Sequence, residues 1–96
     1  MYAVTFDIDT NCLKEQYEDI NIPNEIYGKI KKFMVNNNFE WKQGSVYFGN
    51  DKINAVTCVT TVQKLAKEVP QLMACVKDIR MLKIEEYNDL LSAIQN

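Results

Sequence analysis

Apolar and polar positions alternate from the start of the chain: Tyr2, Val4, Phe6 and Ile8 fall on one side of an extended segment, and Ala3, Thr5, Asp7 and Asp9 on the other. This predicts a strand with one buried face. The opposite face runs into two carboxylates where the strand gives way to a loop, a position at which side chains are held rigidly and still exposed. From Thr10 to Asn21, Leu13, Tyr17 and Ile20 are at helical spacing, but the run is short and interrupted, which predicts a partly helical connection able to serve as a flap. Pro23 suits the opening turn of a helix, with Asn21 as its cap. Ile26, Ile30, Phe33 and Met34 form the apolar stripe of that helix, while Lys29, Lys31 and Lys32 fall largely outside. Asn36, Asn37 and Asn38 end it, because Asn competes for backbone hydrogen bonds and tolerates the left-handed turn.

Phe39 to Lys42 and Val46 to Phe48 alternate again and flank Gln43-Gly44-Ser45, the signature of a hairpin in which Gly44 supplies an unusual backbone angle. Gly49, Asn50 and Asp51 break the second strand and provide a cap for a helix along which Ala55, Cys58, Val59, Val62 and Ala66 recur. The β-branched residues of this run favour a strand locally, but it is too long and lacks strict alternation, so periodicity decides for a helix. Pro70 starts a short turn. Val76 to Ile84 reads as the last strand, with Asp78 and Arg80 on one face and Ile79 and Met81 on the other, and an amphipathic turn or two with Tyr87, Leu90, Leu91 and Ile94 closes the chain.

The predicted order is strand, helix, strand, strand, helix, strand. This is the α+β ferredoxin-like βαββαβ pattern: a four-stranded antiparallel sheet with both helices on one face, here followed by a short C-terminal helical segment. The right-handed crossover rule places the first strand between the third and the fourth. Its end at Asp7 then lies beside the beginnings of the third strand, at Ser45, and of the fourth, at Asp78. Asp7, Ser45, Asp78 and Arg80, distant in sequence, converge on one end of one sheet.

Composition narrows the chemistry. A chain of 96 residues, 47% hydrophobic and 25% charged, is a single domain over residues 1–96 with enough apolar material for one core. There is no histidine, which excludes His-dependent triads and imidazole metal sites and leaves carboxylate, Lys, Tyr, Cys or water as acid or base. The three glycines, Gly28, Gly44 and Gly49, make no phosphate-cradling loop or dinucleotide fingerprint. A net charge of −2 argues against bulk electrostatic coating of duplex nucleic acid, though a local basic strip can still grip a short strand. Cys12, Cys58 and Cys75 are odd in number and lack metal spacing, and are expected to be reduced thiols used as small apolar residues. With no basic leader before Asp7 and no long apolar run, the expected location is cytoplasmic.

Three motifs in order carry a resemblance that spans essentially the whole chain: Met1-Tyr2-Ala3-Val4-Thr5-Phe6-Asp7, the hairpin Phe39-Glu40-Trp41-Lys42-Gln43-Gly44-Ser45-Val46-Tyr47, and Asp78-Ile79-Arg80 with Lys83-Ile84-Glu85-Glu86. Together they resemble the virulence-associated protein D family. Met81-Leu82 and Leu72-Met73 depart from the residues usual there. The resemblance implies a homodimeric endoribonuclease of ferredoxin-like fold, related in architecture to the small CRISPR-associated nuclease, and often the toxin of a bacterial toxin–antitoxin pair. The expected substrate is single-stranded RNA, and a protein antitoxin is a further expected partner.

Phosphodiester cleavage needs a group to deprotonate the attacking oxygen, charge to stabilise the transition state, and a proton or cation for the leaving oxygen. Asp7 suits the base or, equally, a metal ligand. Ser45 suits a hydrogen bond to a phosphate oxygen, or else satisfies its own turn. Arg80 suits a bidentate phosphate contact or an ion pair with Asp78, and the second would orient it for the first. Tyr47 and Trp41 are the candidate base-stacking residues; Tyr47 is the better of the two, with packing at a dimer interface as its alternative, and the core is the favoured place for Trp41. Lys42 and Lys77 flank the converging strand ends as a basic strip or as solvated surface. A sheet covered on one face invites a second copy on the other, which would bring two Asp7 carboxylates together and invite a divalent cation such as magnesium. The competing expectation is a catalytically silent dimer acting as a regulatory or assembly partner.

Overall fold

Alternation in the first strand decides where the core lies. In the computed structural model, which describes residues 1–95, β1 spans Tyr2–Ile8 and buries Val4, Phe6 and Ile8. The Phe6 ring stacks on Tyr27 and on Tyr47, with centroids 6.4 and 6.0 Å away. The other strands are β2 (Phe39–Gln43), β3 (Val46–Gly49) and β4 (Val76–Lys83), and the sheet is antiparallel in the order β2-β3-β1-β4. Helices α2 (Ile22–Asn36) and α3 (Ala55–Glu68) send Ile26, Ile30, Met34, Cys58 and Leu65 into the same cluster as the buried side of β1. The ferredoxin-like topology and the central position of the first strand are as the sequence predicts.

The caps differ in detail from expectation. Asn21 sits before α2 in a helical conformation and makes no side-chain cap; its own amide donates to Asp19 Oδ1 at 2.8 Å. At the far end, Asn37 Nδ2 donates to the Phe33 carbonyl at 2.7 Å and Asn38 takes the left-handed conformation (φ 71°), so the asparagines do stop the helix. For α3 the cap is Asn54, not the Gly49-Asn50-Asp51 break. Asn54 Oδ1 accepts from the Thr57 amide at 2.8 Å while Thr57 Oγ1 accepts from the Asn54 amide at 2.7 Å, a reciprocal capping box. The buried line of α3 runs through Cys58, Thr61 and Leu65, leaving Val59 half exposed; Thr61 enters the core because its hydroxyl donates to the Thr57 carbonyl at 2.7 Å. Gly49 is forced by packing, since a Cβ there would lie 2.8 Å from Cβ of Ile53.

The connection after β1 is a regular helix, α1 (Thr10–Tyr17), and Pro70 opens another, α4 (Pro70–Cys75), where a turn is expected. Neither α1 nor the start of β4 is loose, because Cys12 and Cys75 form a disulfide with Cα atoms 5.6 Å apart. This corrects the expectation of three reduced thiols. An odd cysteine count and a separation of 63 residues give no pairing signal in one dimension, and only the fold brings α1 against α4. Beside the bridge, the Asp9 amide donates to the Cys75 carbonyl at 2.9 Å. Cys58 alone behaves as the expected small apolar residue, and burial pushes its thiol pKa up.

The final segment folds back over the face of the sheet opposite the helices. Tyr87 packs edge-on to Phe48 at 5.2 Å, and a single-turn helix, α5 (Leu91–Ile94), ends the described chain.

Closing a loop of this size (sequence separation 63) stabilises a fold by about 2–4 kcal/mol through the unfolded chain. Cys12→Ser is therefore expected to lower the urea midpoint markedly, and wild type in dithiothreitol should fall to the same value. Coincident midpoints for oxidised wild type and the variant would show that the bridge does not hold the fold together.

Candidate active site

Burial of Val4, Phe6 and Ile8 turns Ala3, Thr5 and Asp7 to the opposite face. Register then fixes their neighbours: Ala3 stands across from Phe48 and Leu82, Thr5 from Val46 and Arg80, and Asp7 from Asp78. Ala3 is fully buried there, whereas Asp7 is exposed. Residues directly opposite on antiparallel strands have Cβ atoms about 4.5–5.5 Å apart, so Asp7 and Asp78 present two carboxylates to one small volume. Among the described residues, the Asp7 side chain makes no hydrogen bond or ion pair. Like charges placed this way repel, a cost that a fold tolerates where a cation or a substrate proton uses the pair.

Asp78 is partly neutralised by Arg80. Nε of Arg80 donates to both Asp78 oxygens at 3.1 Å, and this hydrogen bond and the opposite charge raise the pKa of the guanidinium further. Only Nε is used. The terminal amino groups take no acceptor among the described residues, so the ion pair orients the guanidinium and leaves its fork available to a phosphate. Ser45 joins from the hairpin: its carbonyl accepts from the Phe6 amide at 3.2 Å, which ties the turn to the residue before Asp7. The Ser45 hydroxyl has no partner among the described residues. The backbone positions of Asp7, Ser45, Asp78 and Arg80 thus meet at one sheet end, but Ser45 lines a concavity with Trp41 and Tyr47 on the α2 side, whereas Asp7, Asp78 and Arg80 share the opposite face.

The two lysines share a local cause. Between Trp41 and Gln43 the register of β2 against β3 slips by one residue, and between Asp7 and Ile8 that of β1 against β4 does the same. Lys42 and Lys77 are the extra residues of these bulges, devices that bend a strand and re-aim a side chain. Lys77 is exposed beside Asp78. Lys42 is engaged elsewhere, 3.3 Å from Glu40 and over the Phe48 and Tyr87 rings at 5.3 and 5.7 Å.

Two aromatic assignments reverse. Tyr47 is 1% exposed and stacked on Phe6 inside the core, so its ring is closed to a base and to a dimer interface; it stands opposite Val4, on the helix side of the sheet. Trp41 is 42% exposed, with its indole N–H donating to the Gly44 carbonyl at 2.9 Å and Lys31 Nζ 4.1 Å from the ring centroid. Asp9, the second carboxylate at the strand exit, caps α1 by accepting from the Cys12 amide at 3.0 Å. Among the described residues no group of three or more His, Cys, Asp or Glu side chains is placed to hold a metal ion. One chain offers the Asp7 and Asp78 pair.

The chain is thus a small α+β domain of ferredoxin-like topology, with an aspartate at the exit of its first strand faced by a second aspartate and an arginine held by it. A family model described as CRISPR associated protein Cas2 matches residues 1–90. The chain is 60% identical over 95 residues to the Endoribonuclease VapD homolog of Helicobacter pylori, covering 99% of this chain and 97% of that one. It is 57% identical over 94 residues to Endoribonuclease VapD 2 of Riemerella anatipestifer (98% and 99% covered) and 35% identical over 95 residues to Endoribonuclease VapD of Dichelobacter nodosus (99% and 98% covered). The chain belongs to the VapD family.

Burial pushes the Tyr47 phenol up to about 12. The folded state then holds this proton more tightly than the unfolded chain, so the stability it contributes is complete below pH about 10 and is lost as pH rises through about 12. Tyr47→Phe is expected to flatten the alkaline limb of a stability-against-pH curve while leaving RNA cleavage at neutral pH unchanged. A cleavage defect in a folded Tyr47→Phe protein would restore a direct role for the hydroxyl.

Proposed function

We propose that this protein is an endoribonuclease that cleaves single-stranded RNA at the end of the sheet where Asp7, Ser45, Asp78 and Arg80 converge. The observation that carries the reading is the opposed Asp7 and Asp78 pair with Arg80 held by Asp78 and its terminal amino groups unused. The names of the VapD relatives support the same reaction.

In this reading the Arg80 fork binds the non-bridging oxygens of the scissile phosphate, while Ser45 marks the turn where the RNA leaves that face. Asp7 accepts the proton of the attacking oxygen as the new P–O bond forms and the old one breaks, and the negative charge that develops is met by Arg80 and Lys77. Magnesium is commonly held by one or two carboxylates completed by water and substrate phosphate, and the Asp7 and Asp78 pair fits that donor set. When bound, such an ion would neutralise phosphoryl charge and ease deprotonation of a bound water.

The working unit in this proposal is a homodimer. Leu82 on the face opposite the helices and Tyr87, Leu90, Leu91 and Ile94 of the segment that crosses it are 44 to 79% exposed, which supports a twofold contact across this side of the sheet. The protein acts in the cytoplasm, as the toxin of a toxin–antitoxin pair whose antitoxin is a protein, a role supported by family membership. No helix among the described residues is long and apolar enough to cross a membrane.

Purified wild type should cleave a labelled single-stranded RNA, and Asp7→Asn should lose about 10²–10⁴-fold of that rate, the usual range for a positioned acid or base. Loss with EDTA and recovery with magnesium would make Asp7 a metal ligand; indifference to EDTA would make it the base. If wild type leaves every RNA intact, a dimer acting through its surface becomes the better account. Sedimentation should give twice the chain mass for wild type and a single chain for Leu82→Glu; a wild-type monomer would remove the dimer.

A further inference from the structure

A second concavity lies on the other side of the hairpin, between α2 and the β2–β3 turn. It has a volume of about 380 Å³, and Tyr27, Gly28, Lys31, Trp41 and Ser45 are among the residues that line it. We infer that this groove is a subsite for one unpaired nucleotide of the RNA, with the base stacked on Trp41 and its phosphate held by Lys31 and Ser45. The inference rests on the endoribonuclease reading and extends the same site around the end of the sheet.

Four observations carry it. Trp41 is 42% exposed, yet its indole N–H is already satisfied by the Gly44 carbonyl, so the ring is fixed by the turn and presents a π surface rather than a polar edge. Lys31 lies 4.1 Å from the ring centroid, a contact weaker at an exposed site than the stacking of a base on an aromatic side chain. An incoming base can therefore displace the ammonium from the ring and leave it beside the phosphate. Ser45, whose hydroxyl has no partner among the described residues, lines the groove and is tied through its carbonyl to Phe6, the residue before Asp7. The turn that borders the groove is thus joined by a backbone hydrogen bond to the strand that carries Asp7.

Gly28 is the fourth. It lies in the interior of the 15-residue α2, where glycine weakens a helix relative to alanine. Its backbone is not left-handed, and a Cβ placed there would meet nothing within 4 Å. Neither backbone geometry nor packing calls for glycine, whereas the open space over it is the groove.

Trp41 is the sole tryptophan, so intrinsic fluorescence reports on this ring alone. The test titrates wild type, Gly28→Ala and Gly28→Leu with a 2′-O-methyl hexanucleotide, which binds without being cleaved, and follows Trp41 emission, while cleavage of the matching natural RNA is measured in parallel. Wild type should show saturable quenching. Gly28→Ala should melt no lower than wild type and still quench. Gly28→Leu, equally folded, should bind about tenfold more weakly with its quenching lost and should raise KM for the natural RNA more than it lowers kcat. Binding or cleavage by wild type without quenching, or a Gly28→Leu protein indistinguishable from wild type, overturns the subsite, as does failure of wild type to bind at all. Quenching without cleavage of natural RNA would uphold the subsite and overturn the nuclease reading.

Discussion

The register of one strand holds the candidate site together. β1 is hydrogen-bonded on both sides, and its even-numbered residues from Val4 to Ile8 are locked into the core. A slip of one residue would send the carboxylate of Asp7 inward and the ring of Phe6 outward, which the core does not allow. Burial on one face thereby specifies chemistry on the other: Asp7 meets Asp78 because Phe6 must pack on Tyr27 and Tyr47. The repulsion between two opposed carboxylates is small against the burial of three large apolar side chains, each worth about 1.5–3 kcal/mol.

Departures from regular pairing occur where this regular frame meets the site. The bulge after Asp7 makes Lys77 an extra residue beside Asp78, and the bulge near the hairpin turn makes Lys42 the extra residue of an edge strand. The bulge of β2 also helps the short turn close, so that the Trp41 indole reaches the Gly44 carbonyl. Edge strand, bulge and turn leave Trp41 on the rim of the core, where α2 approaches with Lys31 and Gly28 instead of a large apolar side chain. The sheet end is therefore flanked by an acidic face with an arginine and by an aromatic groove with a lysine, with Ser45 between them. That arrangement lets a short strand be gripped locally by a chain whose net charge is −2.

Where a single period governed a segment, the sequence was readable. Strict alternation located β1, β4 and the hairpin, the helical stripe located α2, and the crossover rule turned the order of elements into the observed sheet order and the convergence of Asp7, Ser45, Asp78 and Arg80. It misled at irregular points. Spacing of two does put Tyr47 on the side of Ser45, but that is the α2 side, set by Val4 across the ladder, and not the side of Asp7. Trp41 lies outside the core because an edge strand beside a bulge has only a partial cover. The cap of α3 is Asn54 and not the Gly49-Asn50-Asp51 break, because Asn50 organises its own turn by accepting from the Lys52 amide at 2.9 Å. The disulfide could not be read at all, since it depends on α1 and α4 meeting in space.

That bridge changes how the site is supported. Asp7 and Asp78 both lie at strand ends, which fray unless tied down. Three contacts tie this end within a few residues: the Asp9 carboxylate caps α1, the Asp9 amide binds the Cys75 carbonyl, and Cys12 is joined to Cys75. The second and third reach Cys75 at the entrance of β4, and the first fixes α1, which carries Cys12, to the exit of β1. Cys75 lies two residues before Lys77, so the covalent link is anchored just outside the bulge that sets the spacing of the two carboxylates. A pair of exposed, mutually repelling groups is held in place by contacts that lie behind it, which leaves the Asp7 oxygens free of internal partners among the described residues.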